Sequence, residues 1–496
     1  MGWKVSRLFG FGKRLAVGVL TLSLAVGGAL VAATGEPAAS AAAQEVAARH
    51  LTGTLRSGAT YVMDVPEQWN GTVLLFSHGI NPAGLGNPNP ARNAVGNGDA
   101  QALLSRGYAL IGSSYADHGW VIQDAVPDQI ATLATFERQF GEPRRTIAWG
   151  ESMGGLVTTA IAEQHPDVID GSLAMCGLVM GGVAEWNAAL DATYAFKTLV
   201  APSSTVPLVD IGTTAKGLEY GRTFGQLVDQ AQETPQGLAR IALAAALYDV
   251  PGHNAIGQTE PAPRNVEAIA RNQAAGLSGE VFNAQFLLRA DAEQWAGGNM
   301  SWNTGVDYAS LLRRSANYRT VETLYRRAGL SLGADLGRLA AGQRISAVPA
   351  AKEYMTRYGS LTGQLRKPQL NIHTTGDGLV PVTAEHAYRA AVRQAGKESL
   401  LRQAYVEAPG HCNFSPGEVV ASVETVIARV ETKRWPSTTA AALNRRSAAV
   451  VATPPADARP FTPSEFIEHD PSPYLRPFTA RRPGTGWLSA AGELGR

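Results

Sequence analysis

The sequence predicts an α/β protein built on a mostly parallel sheet, with a long helical insertion between two of its strands. Short apolar runs alternate with helix-like stretches in the N-terminal third, beginning with 72–76 and 108–112. The alternation stops, gives way to a long stretch of mostly helical pattern, and returns at 368–373. Strands that alternate with helices in this way form parallel sheets that helices cover on both faces.

Each predicted element follows from its local pattern of apolar, polar and turn-forming residues. Before the insertion, strands are predicted at 72–76, 108–112, 145–149 and 171–176, and helices at 99–106, 122–140 and 154–164. After it, strands are predicted at 368–373 and 401–406, and helices at 384–395 and 416–432. We therefore expect one sheet that is interrupted in the sequence and continuous in space.

The predicted divisions of the chain follow these changes in pattern. They are a signal peptide (1–43), a first part of the α/β core (44–180), a helical insertion (181–367), a second part of the core (368–435) and an extended Ala-, Arg- and Pro-rich tail (436–496).

The composition excludes some classes of function. Lys and Arg together number 43 against 42 for Asp and Glu, which gives a net charge of +1. A charge this small does not attract the chain to nucleic acid. Hydrophobic residues make up 45% and charged residues 17%, as in globular proteins. We expect no nucleic-acid partner.

The N-terminus has the layout of a secretory signal. A cationic segment (4–14) precedes an apolar stretch (15–33), and small residues at 39–43 offer cleavage sites. An uncleaved membrane anchor is the alternative, since the apolar stretch is long enough to span a bilayer. We expect cleavage, secretion and no stable membrane insertion afterwards.

The strongest local signal for chemistry is the G-x-S-x-G motif centred on Ser152. It lies between a predicted strand and a predicted helix, where a sharp turn exposes the serine hydroxyl and small flanking residues let the backbone turn. This context identifies Ser152 as the candidate nucleophile.

A serine hydroxyl needs a base within hydrogen-bond reach to act as a nucleophile. Asp377 follows the strand at 368–373, and His411 follows the strand at 401–406. The two residues occur in the order that such folds use, after Ser152 and at later strand ends. We predict His411 as the base and Asp377 as the residue that orients it.

Two backbone N–H groups are candidates for stabilising the developing oxyanion. One belongs to Met153, directly after the nucleophile, and the other to Ile80, in the loop after the strand at 72–76. His78 in the same loop is interpreted as a structural residue.

The order of these motifs resembles the α/β-hydrolase superfamily, over residues 55–180 and 366–432. The strings GESMGGLVT, TTGDGLVPV and GHCNF are similar to those of secreted actinobacterial serine esterases. The resemblance implies an eight-stranded, mostly parallel sheet with a helical lid inserted after the sixth strand.

The histidine loop also shows a partial likeness to tannases and feruloyl esterases. Those enzymes join a cysteine directly after the catalytic histidine to one directly before the serine. Here Cys412 follows His411, but Glu151 precedes Ser152. The hypothesis is that Cys412 pairs instead with Cys176, the other cysteine of the chain, and two separate buried thiols are the alternative.

The leading hypothesis for function is hydrolysis of carboxylic esters through an acyl-serine intermediate, on a small-molecule or polymeric ester substrate. The alternatives are an exported exopeptidase, acyl transfer to another alcohol, and a non-catalytic binding protein. The exopeptidase would hold a free amine with acidic residues of the insertion: Glu185, Asp191, Asp291 and Glu293. No sequence pattern indicates a metal, nucleotide or other cofactor, and the oligomeric state stays open.

Overall fold

The computed structural model describes residues 48–450 except Leu85 and Asn87, together with 452, 458, 461 and 463–478. The signal peptide predicted over 1–43 lies outside these residues. Among the helices that are described, none has the length and apolar character needed to cross a membrane.

The described residues form one central sheet. Its strands within the described residues are β1 (Ala48–Thr54), β2 (Thr60–Pro66), β3 (Thr72–Ser77), β4 (Ala109–Ser113), β5 (Arg145–Glu151), β6 (Gly171–Met175), β7 (Gln369–Gly376), β8 (Leu401–Pro409) and β9 (Phe466–Ile467). Their spatial order is β1-β2-β4-β3-β5-β6-β7-β8-β9. Strands β3 to β8 are parallel, whereas β2 and β9 run antiparallel to their neighbours. The predicted α/β-hydrolase fold is thereby confirmed.

Helices cover both faces of the sheet. They are α1 (Asp99–Leu104), α2 (Ile122–Phe140), α3 (Met153–Gln164), α13 (Ala384–Gln394), α14 (Pro416–Thr432) and α15 (Ala440–Ala448). Successive side chains of β3 point to opposite faces of the sheet. On one face Leu74 and Phe76 pack with α1 and α14, and on the other Val73 and Leu75 pack with α2. Because both faces are buried, the strands read as continuous apolar runs.

The insertion lies between β6 and β7, after the sixth strand, and is helical. Its described α-helices are α4 (Gly182–Leu199), α5 (Thr214–Ala231), α6 (Pro235–Ala246), α7 (Val266–Gly276), α8 (Phe282–Ala296), α9 (Tyr308–Arg314), α10 (Tyr318–Arg327), α11 (Leu332–Ala341) and α12 (Pro349–Gly359). A π-helical turn, Leu277–Val281, joins α7 to α8. We call this insertion the lid, because it lies over the carboxyl ends of the parallel strands.

The C-terminal segment differs from an extended tail, and the sheet has one strand more than the eight expected. Helix α15 packs on α14, and β9 adds to the edge of β8. Tyr474 and Leu475 are buried, and Arg476 forms an ion pair with Asp191 of the lid at 2.9 Å. An edge strand leaves backbone N–H and C=O groups unpaired, and β9 satisfies some of those on β8.

Candidate active site

Ser152 lies in the sharp turn between β5 and α3. Its backbone has φ 57° and ψ −126°, a left-handed conformation that non-glycine residues rarely adopt. The glycines of the motif are needed for close packing: a Cβ on Gly154 would lie 1.9 Å from the carbonyl oxygen of Ser77, and one on Gly150 would lie 2.6 Å from it. The motif therefore packs this turn against the end of β3 and leaves the hydroxyl group at its tip.

The structure brings the three predicted catalytic side chains into one chain of contacts. Ser152 Oγ lies 2.8 Å from His411 Nε2, and His411 Nδ1 lies 2.7 Å from Asp377 Oδ2. With the ring proton on Nδ1, His411 donates to Asp377 and Nε2 is free to accept the serine proton. This is the geometry that nucleophilic catalysis by a serine requires.

Asp377 is held in place from two sides. Its Oδ1 accepts hydrogen bonds from the backbone N–H groups of Leu379 (3.0 Å) and Val380 (2.8 Å). Burial opposes its ionisation, but the charge of His411 and hydrogen bonds from His373 and His411 outweigh burial and hold the pKa of Asp377 below its usual range. The carboxylate is therefore ionised at neutral pH.

A second histidine, which the sequence analysis did not identify, lies behind Asp377. The buried ring of His373 donates from Nε2 to the carbonyl oxygen of Val380 at 2.9 Å, with Asp377 Oδ2 3.5 Å away. Its Nδ1 lies 3.2 Å from Glu385 Oε1. Burial would lower the pKa of His373, but its hydrogen bonds to the two carboxylates and their charges raise it to about 10. A buried imidazolium thus links the candidate site to α13.

We expect the substitution His373→Gln to destabilise the protein more at low pH than at high pH. A histidine whose pKa rises from 6.5 to about 10 on folding stabilises the folded state fully below 6.5, and this stabilisation declines as pH rises toward 10. Thermal midpoints of wild type and variant at pH 6, 8 and 10 measure the difference. The control, His50→Gln, removes a surface histidine; an equal difference at all three pH values for His373→Gln would contradict the charge assignment.

The loop after β3 passes beside the nucleophile, as the oxyanion prediction requires. A Cβ on Gly79 would lie 3.3 Å from Ser152 Cβ and 3.7 Å from its Oγ. Ile80 follows directly, and Ile80 and Met153 both line the cavity that contains Ser152. His78 is buried and stacks on Tyr115, and burial lowers its pKa to about 4, which fits a structural role. The oxyanion role of Ile80 and Met153 stays a prediction.

A disulfide joins Cys176 to Cys412. Their Cα atoms are 5.3 Å apart, within the usual range for disulfides. Cys176 directly follows β6, and the preceding residue, Met175, accepts a hydrogen bond from the backbone N–H of Ser152. The bond therefore ties the histidine loop to the strand beside the nucleophile.

We expect the double substitution Cys176→Ser, Cys412→Ser to lower the free energy of unfolding by about 2–5 kcal/mol, because the bond closes a long loop. It should also lower kcat/KM, because His411 directly precedes Cys412. Denaturant midpoints without reductant measure the stability. Reductant should lower the wild-type midpoint and leave the variant unchanged; two free thiols in the denatured, unreduced wild type would contradict the bond.

A small cavity of about 30 Å³ opens onto Ser152, with space for about two water molecules. Its walls come from both the core and the lid: Ile80, Trp120, Ser152, Met153, Leu178, Glu185, Trp186, Gln285, Leu288, Leu379 and Val380. The candidate nucleophile therefore lies where the core and the lid meet.

Most of the lid residues that the sequence analysis named do not line the cavity. Of the four acidic residues considered for amine binding, Glu185 lines the cavity. Asp191 pairs with Arg476, and Asp291 accepts from the backbone N–H of Trp120 at 2.6 Å. Helix periodicity alone does not tell which side of α4 faces Ser152.

One group of residues among those described has the proximity of a metal site: Cys176, His411 and Cys412. Its two sulfur atoms are bonded to each other, and its histidine contacts Ser152. The group is therefore accounted for by the disulfide and the candidate base.

Comparison with known proteins places the chain among hydrolases. Residues 56–206 match the tannase-like family of unknown function DUF6351. The chain is 30% identical to o-phthalyl amidase from Xanthobacter agilis over 421 residues. The matched region covers 80% of this chain and 90% of the amidase.

Solved structures of esterases and peptidases resemble the chain more distantly. Feruloyl esterase B from Aspergillus oryzae has 13% identity and a TM-score of 0.36, over 78% of this chain and 80% of that chain. Acylaminoacyl peptidase, solved with Z-Gly-Gly-Phe-chloromethyl ketone, has 12% identity and a TM-score of 0.37, over 81% of this chain and 44% of that chain. The strand order, with six parallel strands in the middle of the sheet, defines the fold of the chain. Because it is 30% identical to the amidase over 90% of that protein's length, the chain belongs to the same hydrolase family as o-phthalyl amidase.

Proposed function

We propose that the protein is a secreted serine hydrolase that cleaves carboxylic esters through an acyl-Ser152 intermediate. The observation that carries this proposal is the unbroken series of contacts from Ser152 Oγ to His411 and from His411 to Asp377, at 2.8 and 2.7 Å.

In the proposed mechanism His411 Nε2 takes the proton of Ser152 as Oγ attacks the carbonyl carbon of the substrate. Asp377 stabilises the imidazolium that forms, and the N–H groups of Met153 and Ile80 bind the oxyanion. His411 then returns its proton to the leaving alcohol. In the second half it activates a water molecule, which releases the acid from Ser152.

Amides of carboxylic acids are a second candidate class of substrate. The relative with 30% identity is named an o-phthalyl amidase, and a phthalyl group is an aromatic acyl group. The same acyl-enzyme forms from an ester or an amide, and the difference lies in whether His411 protonates an oxygen or a nitrogen of the leaving group.

Two features support secretion as part of the proposal. One is the signal-like pattern over residues 1–43. The other is the disulfide, since disulfides form and persist mainly outside the reducing cytosol.

A substrate series on the purified mature protein tests the proposal. p-Nitrophenyl esters from acetate to palmitate and the matching p-nitroanilides separate esterase from amidase activity, and aminoacyl p-nitroanilides test for the exopeptidase. A fluorophosphonate, which reacts with activated serines, should stop hydrolysis and label the peptide that contains Ser152. Labelling at a different serine, or hydrolysis that survives full labelling, would contradict the proposal.

A further inference from the structure

A buried histidine and a buried glutamate form a pair behind Asp377. His373 Nδ1 lies 3.2 Å from Glu385 Oε1, and its Nε2 lies 2.9 Å from the carbonyl oxygen of Val380. Both side chains are at most 1% exposed. A carbonyl oxygen only accepts hydrogen bonds, and so does an ionised carboxylate. With Glu385 ionised, each ring nitrogen of His373 therefore has to donate, and the ring carries a positive charge.

The surroundings of Glu385 favour its ionised form. Its Oε2 accepts hydrogen bonds from Asn371 Nδ2 at 2.8 Å and from Gln403 Nε2 at 2.6 Å. Hydrogen bonds that a carboxylate accepts from amides favour its charged form. Removing one partner of a buried ion pair leaves the other charge uncompensated, so each charge of the pair supports the other. The pair therefore consists of an imidazolium and a carboxylate.

His373 contacts the same short turn that holds Asp377. Asp377 Oδ1 accepts from the backbone N–H of Val380 at 2.8 Å, and the carbonyl group of Val380 accepts from His373. His373 Nε2 also lies 3.5 Å from Asp377 Oδ2, the oxygen that is 2.7 Å from His411 Nδ1. His373 therefore acts on the turn through one contact, and through its charge on the carboxylate that contacts His411.

We propose that His373 and Glu385 are positioning residues, which hold Asp377 in place and extend hydrolysis to lower pH. His411 accepts the Ser152 proton only when its Nε2 is unprotonated. The negative charge of Asp377 favours protonation of His411, and the positive charge of His373 beside the same carboxylate opposes it. Neither member of the pair lines the cavity at Ser152, so both act through Asp377. The inference rests on the proposed function.

Other titratable groups face the same residues and titrate in the same range of pH. Burial raises the pKa of Glu185 and of Glu280 to about 7, and the charge of Asp377 acts in the same direction. The groups that interact with Asp377 or His411 are Glu185, Tyr248 and Glu280, and those that interact with Glu385 are Tyr388 and Tyr405. All five stay the same in the variants below, so a difference between two pH profiles reports the pair.

The pH dependence of kcat/KM on a neutral p-nitrophenyl ester tests the proposal on the mature protein. Absorbance is followed where nitrophenol and nitrophenolate absorb equally, with the Ser152→Ala protein as the blank. His373→Gln should move the acid-side midpoint of the profile up by about 0.5–1 pH unit, the size expected of a unit charge one carboxylate away at an effective dielectric constant of about 20. Glu385→Gln should move it down, because His373 keeps its contact with Asp377 and loses its counter-charge.

The double variant His373→Gln, Glu385→Gln separates charge from packing. It removes both charges, so its midpoint should lie between those of the two single variants. A loss of packing alone would lower kcat in all three variants without moving the midpoints in opposite directions. The matched control is Glu163→Gln, which alters a partly buried carboxylate of α3 that accepts from Thr362 and Tyr388. It should lower the stability and leave the midpoint unchanged.

The charge of His373 is also measured without any substitution. Burial opposes this charge, but hydrogen bonds to Asp377 and Glu385 and the charges of both carboxylates raise the pKa of His373 to about 10. Spectra of ¹⁵N-histidine in the wild-type protein at pH 8 should therefore show one imidazole that carries protons on both ring nitrogens. This measurement keeps the test decisive where a variant does not fold.

The outcomes separate this inference from the proposed function. Ser152-dependent hydrolysis with an acid-side midpoint that His373→Gln leaves unchanged or moves down overturns the inference and leaves the proposed function intact. Shifts in the same direction for both single variants also overturn it, and so does the absence of a doubly protonated imidazole at pH 8. The absence of any Ser152-dependent turnover in the wild-type protein, on this ester and on the anilide series, overturns the proposed function itself.

Discussion

Replacing Ser152 with alanine is expected to lower kcat for hydrolysis by about a million-fold, the loss typical of a serine that acts together with a histidine. No other group takes over the attack, because Ser152 Oγ is the hydroxyl in contact with His411 Nε2. Alanine keeps the Cβ and tolerates the same turn, so the fold should be preserved. His411→Ala should cost about as much, and the double variant little more, because the two residues work as one unit.

The measurement is the steady-state rate on the best p-nitrophenyl ester, with a thermal midpoint to show that each variant is folded. Ser172→Ala is a matched control, since Ser172 is a buried serine on the neighbouring strand β6 that donates to Gln369. The control should keep nearly the wild-type rate. A Ser152→Ala protein that retains even one-hundredth of the activity would rule out the acyl-Ser152 mechanism.

The second large effect is expected from Asp377→Asn, which should lower kcat by about ten-thousand-fold. The asparagine oxygen can still accept from the N–H groups of Leu379 and Val380, which leaves its NH₂ group facing His411. His411 Nδ1 must then act as an acceptor, and its proton moves to Nε2, where it blocks acceptance of the serine proton. The imidazolium of the transition state also loses its counter-charge.

Rates across pH 6–10 and a thermal midpoint measure this effect. Because the pKa of Asp377 lies below its usual range, its carboxylate is charged throughout that window, and the loss should be similar at each pH. Asp249→Asn is the matched control, because Asp249 is a partly buried aspartate of the lid that accepts from Ser315 Oγ at 2.8 Å. A loss of less than about tenfold for Asp377→Asn would mean that another group orients His411.

The sequence alone determined the fold and the candidates for the triad. Both depend on patterns that are local: apolar runs of strand length, a strand–turn–helix around Ser152, and the order in which Asp377 and His411 follow later strands. In a parallel sheet the carboxyl ends of all strands meet at one edge, so residues placed there by sequence meet in space. The contacts of 2.7 and 2.8 Å agree with that expectation, and the catalytic roles await the substitutions above.

The sequence alone did not establish that Cys176 pairs with Cys412, because the pairing depends on the order of the strands in the sheet. The hypothesis that Cys176 pairs with Cys412 started from a family pattern of which half is missing. The sheet places β7 between β6 and β8, and the loops after β6 and β8 still meet above it. The C-terminal segment is similar: its composition indicates a tail, and the free edge of β8 decides that part of it becomes a strand.

The tertiary structure alone decided what surrounds Ser152. Glu185 and Trp186 belong to a helix that is buried on all sides, so no amphipathic pattern reveals which residues face the cavity. His373 lies on a strand whose two faces are both buried. Glu185 accepts a hydrogen bond from Tyr248, which is distant in sequence. The fold and the candidates for the triad follow from local patterns along the chain. The surroundings of Ser152 follow from packing between elements, which only the folded molecule contains.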